Sequence, residues 1–224
     1  MAMAYAVDSD SVIKNVLYGI PHRYAWLAPY ELGYDPSLKP YPYNPKRARE
    51  LLAEAGYPNG FEFKLYWPVG GANPMLREGV EAVASYFEAV GIRTKLVGDE
   101  RLAFERRFTA SKGPNAEYVC YRGCGMAGFP EVTNGMGSFF SKAGAFSVYY
   151  NPEFEKIIAE AKATVDDPKR AELIKKGVRM LYEDVAAFPI FNTVTVYAMK
   201  KNIEFTPTEQ IQFDLVLVKD VTIR

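Results

Sequence analysis

Between Tyr43 and Trp67 the chain spells out a helix start, a helix stop, a turn and a strand, and that order constrains everything around it. Asn44 can accept from the free amides of a first helical turn, and Pro45 suits the first helical position, where no amide is needed. Ala48, Leu51, Leu52 and Ala55 form one apolar stripe, and Gly56 can take the left-handed closing conformation. Pro58-Asn59-Gly60 is turn chemistry. Phe61, Phe63, Leu65 and Trp67 then alternate with Glu62, Lys64 and Tyr66 as a half-buried strand. The apolar period changes from helical to alternating within one short span.

The same change recurs downstream. Leu76, Val80, Val83 and Phe87 share a helical face that ends at Gly91, and Ile92, Thr94 and Leu96 alternate as a second strand. Phe104 and Phe108 suggest a further helix, and Tyr118 to Tyr121 a further strand. The expectation is one sheet containing strands 61–67, 92–97 and 118–121, with helices 45–55 and 76–90 packed on it: an α/β domain with a mixed sheet flanked by helices. Upstream, residues 3–18 read as helix, with Asp8 an internal cap dividing the run. Residues 19–43 carry five prolines and should form a long ordered loop. Residues 122–149 hold six glycines and read as loop. Helices at about 152–164 and 168–185 follow, the second capped by Asp167, and residues 188–192 and 195–199 read as closing strands.

Composition removes several classes of function. Twenty-seven basic residues balance 27 acidic ones, so nothing draws the chain to nucleic acid or to an anionic membrane. No apolar run approaches the roughly 20 residues that cross a bilayer. Phosphate-loop, serine-elbow and zinc-protease motifs are absent. The acidic pairs Glu153/Glu155 and Asp166/Asp167 read as solvated helix faces and caps rather than general acids. Cys120, Cys124 and the lone His22 are too few for a structural zinc site, so no metal or cofactor is expected. The two cysteines read as free thiols, with a disulfide open if Gly123 bends the chain. His22, between Pro21 and Arg23, reads as a surface residue.

The wording of three segments resembles the dipeptide/oligopeptide class (family 5) of extracellular solute-binding proteins that serve ABC importers. The first is Asn44-Pro45 through Ala48, Leu51-Leu52 and Ala55-Gly56-Tyr57-Pro58 to Gly60-Phe61. The second is Ala4-Tyr5-Ala6-Val7-Asp8. The third is Asn151-Pro152-Glu153-Phe154 through Ala161, with Asp167-Pro168 a helix later. All three stand in the family's order. The resemblance implies one lobe of a two-lobed periplasmic-binding-protein-like fold: residues 1–200 the distal, ligand-binding lobe, and 201–224 a segment that returns to a missing proximal lobe. It also implies non-enzymatic capture of a peptide or another small polar solute, a membrane permease as partner, and a periplasmic or cell-surface location. Met1-Ala2 leads straight into a helix with no secretion signal, so the chain is expected to be an excised lobe of an exported protein.

Candidate ligand contacts cluster after the third strand: Tyr121, Arg122, Gly123, Cys124, Gly125, Met126 and Phe129. Open α/β sheets place ligand loops at such strand ends. Glycines let backbone approach a solute, Tyr121 and Phe129 offer flat apolar contact, and Arg122 can fork onto a carboxylate or phosphate. An internal salt bridge for Arg122 stays open. Trp67, at the end of the first strand, is a second rim candidate or else core. Arg106 and Arg107 flank the region, but adjacent helical residues diverge, so only one, Arg107, is taken as a contact. Peptide-binding relatives resemble one another in carrying Trp-x-x-Asp here, the acid pairing with the peptide's ammonium. Aligned on Pro130, this chain has Gly123 and Met126, which makes an anionic group a better target than an ammonium. The rival readings are a hydrolase-like lobe using Glu131 or His22, and a standalone interaction module.

Overall fold

The computed structural model describes residues 1–70, 75–110, 119–120, 132–147, 149–192, 194, 197–205 and 221–223, with backbone alone at Phe108 and residues 119–120. Its helices are α1 (Ala2–Ala6), α2 (Ser9–Ser11) running into a π-helical turn (Val12–Val16), α3 (Pro45–Glu54), α4 (Leu76–Glu88), α5 (Arg101–Ala110), α6 (Val132–Phe140), α7 (Pro152–Ala163) and α8 (Asp167–Glu183). Strands β1 (Glu62–Val69), β2 (Arg93–Glu100) and β3 (Val119–Cys120) form one parallel sheet in the order β2-β1-β3. Among the described residues, antiparallel strands pair in a separate ribbon, β4 (Ile203–Phe205) with β5 (Val221–Ile223).

The expected start of α3 holds in detail. Asn44 Oδ1 accepts from the Arg47 amide at 2.9 Å, and Gly56 closes the helix at φ +88°. Gly60, at φ +70°, then brings the turn against Gly91: a Cβ at Gly60 would lie 1.8 Å from the Gly91 carbonyl oxygen. The two strands thus begin side by side, with the Arg93 amide donating to the Phe61 carbonyl at 2.8 Å. Asp8 divides the first helical run, its carboxylate accepting from the Ser11 amide at 3.0 Å.

Strand alternation sends the two faces of β1 to different cores. Leu65, Phe63 and Trp67 pack with Val80, Val83 and Phe87 of α4 and with Ala48 and Leu52 of α3. Tyr66 instead meets Phe104 of α5, which is fully buried. Helices α4 and α5 therefore cover opposite faces, the doubly wound arrangement. A second large core joins Met136 and Phe140 of α6, Phe154 and Ile158 of α7, Ile174, Val178 and Leu181 of α8, and Ala25-Trp26-Leu27 from the proline-rich segment. That segment is ordered as expected. Tyr41 stacks on Tyr182 at 4.7 Å between ring centres and donates to its carbonyl at 2.6 Å. Asp35, buried, accepts from Ser37 and pairs with Arg179. The Ser37 hydrogen bonds, then Arg179, hold its carboxyl below the usual range.

Three expectations are corrected. Residues 132–140 are helix, not loop: Val132, Met136 and Phe140 recur every four residues and are buried, and this stripe outweighs Gly135 and Gly137. Residues 188–192 are not a strand. Phe188 and Ile190 do alternate into the sheet core, but the only ladder contact among the described residues there is the His22–Asn192 bridge, Asn192 N donating to His22 O at 2.7 Å. Residues 197–199 also carry no strand. Finally, α8 is capped one residue early. Asp166, not Asp167, accepts from the Lys169 amide at 2.9 Å, so Pro168 sits inside the first turn.

Candidate functional site at the carboxyl edge of the sheet

The chain leaves β1 for β2 on one side and returns past β1 to β3 on the other. That reversal creates a switch point between the carboxyl ends of β1 and β3, where open parallel sheets hold ligands. The register fixes which residues reach it. Leu65 pairs with Val119 and Tyr66 with Cys120, while Trp67, Pro68 and Val69 carry β1 beyond those pairs, still in register with β2. The expected contacts Tyr121, Arg122, Gly123, Cys124, Gly125, Met126 and Phe129 lie outside the described residues, as do Glu131 and the Cys120–Cys124 disulfide question.

Trp67 and Arg107 are described, and they stand on opposite faces. Trp67 is half-buried, pairs in register with Gly98, and packs against the α3–α4 core. A Cβ at Gly98 would come within 2.6 Å of Val69 Cγ2 and 3.3 Å of the Trp67 indole. The glycine therefore lets both side chains spread across β2. Arg107 lies on the other face. Its Nε donates to Asp99 Oδ2 at 2.7 Å, and its guanidinium sits 5.0 Å from the centre of the Tyr66 ring. The cation–π contact to β1 and the ion pair to β2 together seat α5 on the sheet. Arg106 is exposed. His22 is also exposed and enters the fold through its backbone.

Three residues of this region were not singled out from sequence: Tyr66, Gly98 and Asp99. Only the β1–β2 register, Tyr66 opposite Val97 and Trp67 opposite Gly98, places them. The signal available in sequence was Asp99 and Arg107 eight residues apart across a strand–helix junction. No cluster of three or more histidine, cysteine or carboxylate side chains suited to a metal occurs among the described residues, and none of the described helices is long and apolar enough to cross a membrane.

A doubly wound parallel sheet with helices on both faces fits one lobe of the periplasmic-binding-protein fold. The chain belongs to the bacterial extracellular solute-binding proteins, family 5, whose middle region matches residues 1–147. It is 29% identical to di/tripeptide-binding protein 1 of Pseudomonas aeruginosa, over 90% of this chain and 38% of that protein. It is likewise 29% identical to the dipeptide-binding protein of Escherichia coli, over 91% of this chain and 38% of that one. The structure of HbpA2 from Haemophilus parasuis superposes with a TM-score of 0.81 at 25% identity, covering all of this chain and 44% of that one. The chain thus spans well under half the length of these relatives.

Proposed function

We propose that this chain captures a small solute without chemistry, as one lobe of a receptor that closes by hinge motion and delivers to the permease of an ABC importer. The observation that carries the reading is the β2-β1-β3 order, which sets β1 and β3 side by side at a topological switch point, the crevice where open parallel sheets hold ligands. Relatives named for di- and tripeptides support a peptide-like solute, and a similar structure from Helicobacter pylori, named as a periplasmic binding protein, supports a periplasmic location. The domain reading follows: residues 1–200 form the capturing lobe, and 201–224 return toward a proximal lobe.

Within the crevice, Arg122 grips an anionic group of the solute, with Tyr121, Phe129 and the glycines around it supplying contact. Met126 offers no charge for an ammonium, so solutes with a blocked or absent amino group are preferred. Arg122→Ala should weaken carboxylate-bearing solutes by about 10- to 150-fold, the scale of a charge-assisted hydrogen bond. Arg122→Lys should recover only part, because the fork is lost. The melting temperature should hold. If Arg122→Ala instead lowers the melting temperature while affinity per folded molecule is unchanged, Arg122 is structural. Covalent change of a bound solute, seen by mass spectrometry, would replace capture with an enzymatic reading.

A further inference from the structure

We infer that Asn59 is a modification site: it loses its side-chain amide to attack by the Gly60 backbone nitrogen, at a rate set by the turn that holds both residues. Only two asparagines of the chain, Asn59 and Asn134, precede glycine, whose bare α-carbon leaves the following nitrogen open to the side chain. Their settings differ. Asn59 stands exposed at the third position of the 57–60 turn, and the Gly60 amide is held by the Tyr57 carbonyl at 2.9 Å. Asn134 lies inside α6, where Val132, Met136 and Phe140 pin the helix to its core. Freeing the Gly60 nitrogen requires a surface turn to open. Freeing that of Gly135, itself buried, requires α6 to leave the core.

In the step, the Gly60 nitrogen bonds to the Asn59 side-chain carbonyl carbon. Its proton passes through solvent to the side-chain nitrogen, which leaves as ammonia. Water then opens the cyclic imide. Cleavage at the side-chain carbon gives aspartate; cleavage at the main-chain carbonyl gives isoaspartate, which adds a methylene to the backbone between residues 59 and 60. Gly60 is the wrong place for an added group. A Cβ there would lie 1.8 Å from the Gly91 carbonyl oxygen, so a displaced Gly60 pushes the starts of β1 and β2 apart, beside the bond from Arg93 N to Phe61 O. Neither product regains the amide, so each opening of the turn that ends in reaction marks the molecule permanently.

The test incubates the 224-residue protein in mildly alkaline buffer, folded and in urea, with peptide mapping that separates aspartyl from isoaspartyl products. In urea Asn59 and Asn134 should convert at similar rates. In the folded protein Asn59 should slow by about 2- to 13-fold, the weight of one turn hydrogen bond, and Asn134 by far more, because α6 must open. Protein carrying isoaspartate at position 59 should melt below Asn59→Asp, which makes the same charge on an unaltered backbone. If Asn134 keeps pace with Asn59 in the folded protein, or Asn59 converts as fast folded as in urea, the turn does not set the rate and the inference fails. It fails equally if folded Asn59 is intact when the unfolded chain has fully converted. Isoaspartyl protein that melts with Asn59→Asp overturns the effect on the strand starts.

Discussion

Replacing Gly60 by alanine should cost far more than the same change at Gly56, although both glycines are left-handed and only four residues apart. Gly56, at φ +88°, has nothing within 4 Å of a would-be Cβ. An alanine there suffers only the left-handed backbone penalty of about 1–2 kcal/mol, reduced by about 0.4–1 kcal/mol because the unfolded chain loses freedom too. Gly60, at φ +70°, suffers the same penalty, and its Cβ would lie 1.8 Å from the Gly91 carbonyl oxygen and 2.4 Å from its carbon. Both are backbone atoms and cannot turn aside. To restore ordinary contact, which begins at 3.4 Å, the starts of β1 and β2 must move apart, and the 2.8 Å bond from Arg93 N to Phe61 O cannot survive that. Its loss, about 1 kcal/mol, adds to loosened packing around Ile92 and Val90, whose side chains are buried. The total for Gly60→Ala is about 3–5 kcal/mol, the range of a damaged core. Urea unfolding followed by tryptophan fluorescence, with calorimetry, checks both variants. Melting should fall by about 0–6 °C for Gly56→Ala and by about 6–20 °C for Gly60→Ala, at the 2–4 °C per kcal/mol of a chain this size. Equal losses would refute the contact between the two turns.

Other outcomes follow from contacts elsewhere. Tyr41→Phe keeps the stack on Tyr182 but loses the 2.6 Å bond to its carbonyl, and should cost about 0.5–1.5 kcal/mol in urea unfolding. Because the folded Asp35 carboxyl is held below its ordinary 3.8, the stability it lends is full above that value and is lost as pH falls below it. The stability gap between wild type and Asp35→Asn should therefore narrow as acid is added; a gap independent of pH would remove the Ser37–Arg179 clamp from the account. Lys64 and Lys95 are opposed in register on an exposed strand face, so Lys64→Glu should replace repulsion with attraction and raise stability by about 0.2–1 kcal/mol. Calorimetry on the protein by itself should find no submicromolar solute, because a single lobe leaves much of the ligand in water.

What the sequence revealed depended on whether a structure's cause is local. The Asp8 and Asn44 caps, the left-handed Gly56 and Gly91 and the apolar periods of α3, α4, α7 and α8 are short-range signals and appear where the residues put them; with two adjacent aspartates before Pro168, the α8 cap fell to Asp166 rather than Asp167. The β1–β2 alternation was equally plain. Register was not: nothing in sequence says that Trp67 faces Gly98 or that Tyr66 meets Phe104, because both follow from how two distant strands align. The helix at 132–140 was hidden by glycines whose cost the buried Val132–Met136–Phe140 stripe repays. At 188–192 the alternation was real but ladder pairing is a tertiary fact, and only Asn192 acquires it. For the candidate site, family wording indicated the strand end, whereas the pairing that occupies Arg107 needed coordinates.

The proline-rich stretch at 19–43 looks like a linker on paper, and it is the last place to cut this molecule. Arg23 ties Asp10 on the sheet side to the Tyr41 carbonyl at 2.6 Å, and Tyr41 in turn clasps Tyr182 on the helical side. Anyone splitting the lobe for a reporter, permuting its termini or grafting its sheet onto another scaffold would sever both halves' shared fastening there. The turn between α7 and α8 offers the opposite: Val165 is 92% exposed, and the helices on either side of it hold each other without its help.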